Sequence, residues 1–252
     1  MDRVVRHSIA AALGTALLAV TLLPADASAQ GGPGFLFKRP HVLLSIRGGY
    51  AVPRAGSDVF RFTEERLTVS RHDFDAAAVE AELAYSVADR VDLALGVGYS
   101  SRDARSEFRD WVGTDDQPIR QMTRFSRLPV TLSAKYYLRD RGRAVSRFAW
   151  VPEKWAPYVG AGGGWLWYRF RQEGEFVDFE TLDIFPDLFE SSGFAPTAHI
   201  LGGIELALGA QFVLSLEGRY SWGSVSMDQD FVDFDRIDLA GFQSTVGLGI
   251  RF

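Results

Sequence analysis

The sequence predicts an all-β fold, an eight-stranded antiparallel, up-and-down transmembrane β-barrel behind a cleaved signal peptide. Three observations carry that expectation. Eight segments alternate apolar with polar or glycine residues at the period of two that a strand imposes. Tight turns and longer connections alternate between those segments. Past the N-terminal region, no stretch stays apolar over the roughly 20 residues a membrane-crossing helix needs. An exported chain of this kind either remains in solution or crosses a membrane as strands.

The composition agrees. The chain holds 25 Gly, 19 Phe, 8 Tyr and 6 Trp, with few long helical patterns. It has no Cys, which removes disulfides and thiolate metal sites. A formal net charge of −5 argues against nucleic acid as a partner. At the N-terminus, Arg3 and Arg6 precede an apolar run from Ile9 to Leu23, and Ala27-Ser28-Ala29 follows Pro24. That is a basic region, a short apolar core and a small-residue cleavage site, so cleavage is expected after Ala29. The run is too short for a membrane anchor. Residues 30–40 form a Gly/Pro-rich segment, and 41–252 form one barrel domain.

The first strand runs from about His41 to Val52, with Val42, Leu44, Ile46 and Tyr50 opposed by Ser45 and Arg47. The second, about Phe74 to Val87, sets Val79, Ala81, Leu83 and Tyr85 against Glu80, Glu82 and Ser86. In the third, about Val91 to Arg102, Leu93, Leu95, Val97 and Tyr99 oppose Asp92, Gly96 and Gly98. The fourth, about Thr123 to Leu138, opposes Leu128, Val130, Leu132 and Tyr136 to Arg127, Thr131, Ser133 and Lys135. The fifth, about Pro157 to Arg171, is so rich in Gly and aromatics that its faces stay unassigned. The sixth, about Ala195 to Leu208, sets Ile200, Ile204 and Leu206 against His199, Gly203 and Glu205. The seventh, about Phe212 to Gly223, sets Leu214, Leu216 and Trp222 against Ser215, Glu217 and Arg219. The eighth closes the chain, with Val246, Leu248, Ile250 and Phe252 on one face and Gly247, Gly249 and Arg251 on the other.

Residues 87–90 and 208–211 read as tight turns, and the connection from Arg139 to Ala156 is long enough for a short element of its own. Four longer loops are expected near 53–73, 103–122, 172–194 and 224–236. Alternation alone also fits a soluble barrel with its apolar face turned inward. The polar face decides for the membrane, because Gly, Ser and Thr with single charges suit a narrow lumen. Tyr50, Tyr85, Tyr99, Tyr136, Trp155, Tyr220 and Trp222 sit toward strand ends, as interfacial girdles do.

On the strand count, Ala156-Pro-Tyr-Val-Gly-Ala-Gly-Gly-Gly164 and the terminal Val246-Gly-Leu-Gly-Ile-Arg-Phe252, the chain resembles the small outer-membrane β-barrels of the OmpA-, OmpX- and OmpW-like kind. The resemblance spans about His41 to Phe252. It implies a bacterial outer-membrane location, and a terminal strand read by the barrel-assembly machinery through Val246, Leu248, Ile250 and Phe252. It implies no particular activity, since one fold hosts many.

Arg47, Glu82, Asp92, Lys135, Glu205, Glu217 and Arg251 are expected at similar height in the lumen, with Glu80 and Arg219 somewhat higher. Eight strands leave an interior just wide enough for side chains, so these charges pair into a plug or into a gate whose pairs exchange. Arg105, Arg120 and Arg124 have outward parity near the outer ends of the third and fourth strands, where contact with lipopolysaccharide phosphates competes with ordinary solvation. Arg102 and Arg127 lie near them. Phe176, Phe179, Phe185, Phe189, Phe231 and Phe234 in the outer loops fit a partner, a greasy ligand or loop-on-loop packing. Asp228, Asp230, Asp233 and Asp235 lack the spacing of a calcium loop, so no metal is expected.

Catalytic residues and cofactors are not expected either. His199 has no nearby Ser in sequence, and the glycines of 160–164 lack phosphate-loop spacing. The leading expectation is a monomeric structural or surface-interaction barrel, in contact with outer-membrane lipid and lipopolysaccharide, with a salt-bridged lumen. An OmpW-like conduit for small hydrophobic molecules and a soluble exported ligand-binding barrel are the alternatives.

Overall fold

A computed structural model describes residues 34–113, 116–178, 181 and 183–252. The expected signal peptide and Phe179 lie outside the described residues. Among the described residues there are eleven strands: β1 (Val42–Pro53), β2 (Ala76–Ala88), β3 (Val91–Val112), β4 (Pro118–Tyr137), β5 (Gly142–Ser146), β6 (Ala149–Pro152), β7 (Trp155–Val177), β8 (Ile184–Ala207), β9 (Phe212–Val225), β10 (Ile237–Asp238) and β11 (Gly241–Arg251). Eight of them pair antiparallel in the order β1-β2-β3-β4-β7-β8-β9-β11. β11 then returns to β1, from Leu43 opposite Arg251 to Pro53 opposite Gly241. The ring closes, and the eight expected strands are these eight.

Side-chain parity turns the apolar face outward. Ile46 is 64% exposed, Leu132 56% and Leu248 60%, while Glu82 and Lys135 are 2% exposed. That is a barrel built for lipid rather than water, since a soluble barrel would bury those aliphatics. The soluble reading is overturned by this placement. Tyr50, Tyr85, Tyr99, Tyr136, Trp155 and Trp222 are exposed on the outer wall, as expected of girdles, and Trp165 joins them.

The faces of β7 are settled by the structure. Trp155, Val159 and Trp165 point outward, and Tyr158, Tyr168 and Phe170 are buried in the lumen. Gly160, Gly162 and Gly164 share the inward parity. A Cβ on Gly162 would lie 2.8 Å from His199 Nε2, so these glycines admit neighbouring side chains and the adjacent strand. Pairing along β7 is unbroken there, from Gly160 opposite Lys135 to Gly164 opposite Thr131.

Two of the four expected outer loops are largely strand. β3 and β4 continue to Val112 and from Pro118, and β7 and β8 continue to Val177 and from Ile184. Above the lipid level, outward positions such as Asp103, Arg105, Arg171 and Glu173 are polar, and so are the inward Ser106, Gln121 and Gln172, so the alternation that marks a lipid-facing strand is lost. The first loop holds a helix, α1 (Asp58–Arg66), and a 3₁₀ turn over Arg71–Phe74. The connection from Arg139 to Ala156 holds the β5–β6 hairpin.

The outer half of β8 has no β9 partner above Thr197 opposite Gly223. Two of its amides donate to carboxylates instead, Glu190 N–H to Asp230 Oδ2 at 3.0 Å and Ser192 N–H to Asp228 Oδ2 at 2.9 Å. Those two aspartates therefore cap a strand edge.

Candidate functional site

The lumen is filled in three layers. In the middle layer, β1 contributes Arg47, β2 Glu80 and Glu82, β4 Lys135, and β9 Glu217 and Arg219. The pairing registers bring them level: Arg47 faces Glu80 across β1 and β2, and β11 Gly247 leaves room on the other side. Lys135 Nζ donates to Glu82 Oε1 at 2.6 Å and to Glu217 Oε2 at 3.0 Å. Arg219 donates to both Glu80 oxygens, at 2.9 and 3.2 Å, and to Glu217 Oε1 at 2.9 Å. Arg47 pairs with Glu82 and sits 2.8 Å from Glu217 Oε2. Tyr158 OH adds a bond to Glu217 Oε2 at 2.9 Å.

Three cations thus meet three carboxylates, all at most 6% exposed. Charge balance and shared donors are what make such burial tolerable, because an unpaired ion here costs several kcal/mol. Glu80, Glu82 and Glu217 bring oxygens within 4.8 Å of one another, yet the three cations already occupy those oxygens.

The second layer lies toward the end that carries the tight turns. Asp92, Glu205 and Arg251, expected level with the first group, sit here with two residues the sequence did not single out, Tyr137 and Arg141. Arg141 Nη1 donates to Asp92 Oδ2 at 2.6 Å, and Tyr137 OH donates to Glu205 Oε1 at 2.5 Å. The split arises because Lys135, opposite Asp92 in register, reaches away from it to Glu82. Arg141 escaped notice because it lies in a connection, where strand parity says nothing. Below this layer, Trp150 of β6 packs with Leu36 and Ala210, and the amides of Leu36 and Trp150 bond to each other's carbonyls. At the rim, the Arg90 guanidinium, hydrogen-bonded at 2.8 Å, holds the Asp140 carboxyl below its ordinary pKa.

The third layer fills the other half and is apolar. Phe60 of α1, fully buried, meets Phe74, Phe125 and Phe170 edge-on at centroid distances of 5.1, 5.5 and 5.5 Å. Phe231 is buried against them, and Phe189 and Phe234 pack on the cluster. Phe176 meets Phe189 edge-on at a centroid distance of 4.6 Å. Of the three explanations for the loop phenylalanines, loop-on-loop packing is the one seen for these residues. The inward parity of Phe125 was the available signal, at the end of the fourth expected strand, whereas Phe170 lay in the fifth, whose faces the sequence left unassigned.

Arg105, Arg120 and Arg124 project outward as expected. Arg124 is bound by Asp103 through two hydrogen bonds of 2.5 and 2.7 Å, and Arg120 lies 3.8 Å from Glu107. Arg127, by contrast, turns inward and is buried. His199 Nε2 lies 2.8 Å from Ser133 Oγ, an inter-strand pair that sequence distance concealed.

No protein-family model matches the chain, and no curated protein sequence matches it. Solved structures do. Neisserial surface protein A is 11% identical, with 84% of this chain and 96% of that chain covered and a TM-score of 0.46. OprG from Pseudomonas aeruginosa is 14% identical, with 85% and 97% covered and a TM-score of 0.43. The structural neighbours of this chain are small outer-membrane β-barrels. Outer membrane protein W of E. coli, at 15% identity, 85% and 99% coverage and a TM-score of 0.33, is another. At such scores the activities of those proteins stay with them.

Proposed function

We propose that this chain is an integral outer-membrane β-barrel that acts as a plugged scaffold, with its surface role in the long-hairpin end. The observation that carries the reading is the filling of the lumen by an apolar layer and two charged ones. An eight-stranded bore has no further room for an aqueous path. The exposed aliphatic belt and girdle aromatics support insertion in lipid. Short turns at one end and long hairpins at the other support the usual orientation, with turns in the periplasm and hairpins outside. The outward Val246, Leu248 and Ile250, with Phe252 paired to Val42, suit recognition of the last strand by the barrel-assembly machinery.

Above the girdle, Arg105, Arg120 and Arg124 share the outer wall with Arg169 and Arg171, and Arg124 stands opposite Arg171 across β4 and β7. Adjacent guanidinium forks suit the phosphates of lipopolysaccharide. Catalysis is not part of this reading. Ser133 and His199 are buried, and His199 Nδ1 has no hydrogen-bond partner among the described residues, so the third member that orients a base is missing.

The test is solute flux through proteoliposomes carrying the refolded barrel, with insertion checked by heat-shifted gel mobility. No flux of ions or of small hydrophobic solutes is expected. Ion flux altered by Glu217→Gln would replace the plug with a gated pore. Combined Arg105→Ala, Arg120→Ala and Arg124→Ala is expected to lower co-purifying lipopolysaccharide several-fold, and unchanged lipopolysaccharide would remove that contact from the proposal.

A lateral conduit for hydrophobic molecules is the second reading, favoured by one feature of the wall. Pairing of β3 with β4 lapses at Gly98 and Tyr99, opposite Leu128 and Pro129, and resumes in the same register at Ser100. Proline has no N–H to give the ladder. Hydrophobic flux that falls in Pro129→Ala would favour this route.

A further inference from the structure

We propose that the turn end of the barrel holds a binding site for a phosphate-type oxyanion, centred on Arg251. A cavity of about 360 Å³ opens there, within the size range of small-molecule sites. Arg39, Arg141, Arg143 and Arg251 line it, together with Asp89, Asp140 and Glu205. Each of those acids is already engaged. Arg39 binds Asp89, Arg90 donates to Asp140 at 2.8 Å, and Tyr137 OH donates to Glu205 at 2.5 Å. Arg141 is committed to Asp92 at 2.6 Å.

That leaves the side chains of Arg251 and Arg143 with no hydrogen bond or ion pair among the described residues. Arg251 is 6% exposed, so its guanidinium has left bulk water with Glu205 attracting it only from beyond ion-pair distance. The Trp150 ring lies 5.7 Å from its central carbon and also lines the cavity. A cation–π contact satisfies none of the five N–H donors a guanidinium carries. The donors therefore look onto the cavity, and the group that would satisfy a planar fork there is an oxyanion.

The surroundings carry the same sign. Residues 34–41, 88–91, 138–155 and 208–211, which make up this end, hold eight Lys or Arg and three Asp or Glu, in a chain of net charge −5. A concave site rimmed by excess positive charge concentrates anions. Arg143 is exposed on the hairpin that frames the cavity, placed to close over a ligand that Arg251 holds from below. The phosphate could come from a free solute or from a phospholipid headgroup at the membrane rim, since the recognising chemistry is shared.

Inorganic phosphate titrated calorimetrically into the refolded full chain, in zwitterionic detergent, tests the site. Saturable binding is expected, weakened about ten-fold by Arg251→Gln, the scale of losing one charge-assisted contact. Arg143→Gln, on an exposed and unpaired residue, keeps the fold and is expected to weaken binding about three-fold. Phosphatidylglycerol doped into the micelles distinguishes the sources. Competition with phosphate assigns a lipid headgroup, and its absence assigns a free solute; both uphold the site. No saturable phosphate binding, or affinity unchanged in both folded variants, overturns it. Should Arg251→Gln fail to show the heat shift of a folded barrel, Arg143→Gln decides alone.

Discussion

Glu217→Gln is expected to lower the stability of the inserted barrel by about 3–5 kcal/mol, the range for removing one partner from a buried ion pair. Glu217 is the hub of the middle layer. Its two oxygens receive Lys135 at 3.0 Å, Arg219 at 2.9 Å and Tyr158 at 2.9 Å, and Arg47 lies 2.8 Å away. Glutamine keeps the volume and one acceptor but removes the charge. Three buried cations would then share two carboxylates, in a site almost closed to bulk solvent, where screening is weak.

The size of that loss depends on imbalance rather than on missing contacts, and a second substitution separates the two. Lys135→Met in the Glu217→Gln background restores two cations to two carboxylates. The double variant is expected to recover at least about 1–2 kcal/mol relative to the sum of the singles, because the partners couple directly. Urea unfolding in lipid vesicles, followed by tryptophan fluorescence, reads all three. A Glu217→Gln cost within about 0.5 kcal/mol of zero, as at an ordinary surface position, would mean that the layer is wet and is not the plug.

Much of this site is legible in the sequence, and the reason is geometric. A strand alternates its side chains with a period of two, so Arg47, Glu80, Glu82, Lys135, Glu217 and Arg219 could be placed on the lumen face by parity alone. Parity gives the face and only roughly the height. Lys135 shows why: its long stem carries the charge past Asp92, its register partner's side, to Glu82. What parity could not reach were groups outside regular strands. Arg141 and Trp150 come from the connection after β4, and Phe60 comes from a nine-residue helix in a loop.

That helix was invisible for a related reason. Asp58–Arg66 buries only Val59, Phe60 and Thr63, too few positions for a period of 3.6 to declare itself. The outer halves of β3, β4, β7 and β8 were missed because water, not lipid, surrounds them, and both faces there carry polar residues. β7 defeated parity differently. Three inward glycines removed the polar face that would have fixed its sense, and inward Tyr158 and Tyr168 resemble girdle residues until their burial is seen.

Phe60→Ala is the second large effect expected, at about 3–5 kcal/mol, the range for emptying an aromatic site in a packed core. Phe60 is fully buried and touches Phe74, Phe125 and Phe170. The helix that carries it is tied down at several points. Asp235 N–H donates to Asp58 Oδ2 at 2.8 Å, and Gln172 Nε2 to Thr63 Oγ1 at 3.3 Å. With those ties in place the surrounding rings have little freedom to collapse into the space, which puts the cost high in its range. Phe60→Leu, which keeps most of the volume, is expected to cost less than about 1.5 kcal/mol. A loss under about 1 kcal/mol for the alanine variant would mean that α1 rests on the barrel without filling it. The same variant also ranks the layers as barriers. Removing the Phe60 ring opens only the apolar layer, and the middle layer keeps its three cations on three carboxylates. The Phe60→Ala barrel is therefore expected to remain tight to ions in the proteoliposome assay, while Phe60→Ala combined with Glu217→Gln leaks. Ion flux from Phe60→Ala alone would reverse that order and make the aromatic cap, not the charged layer, the seal.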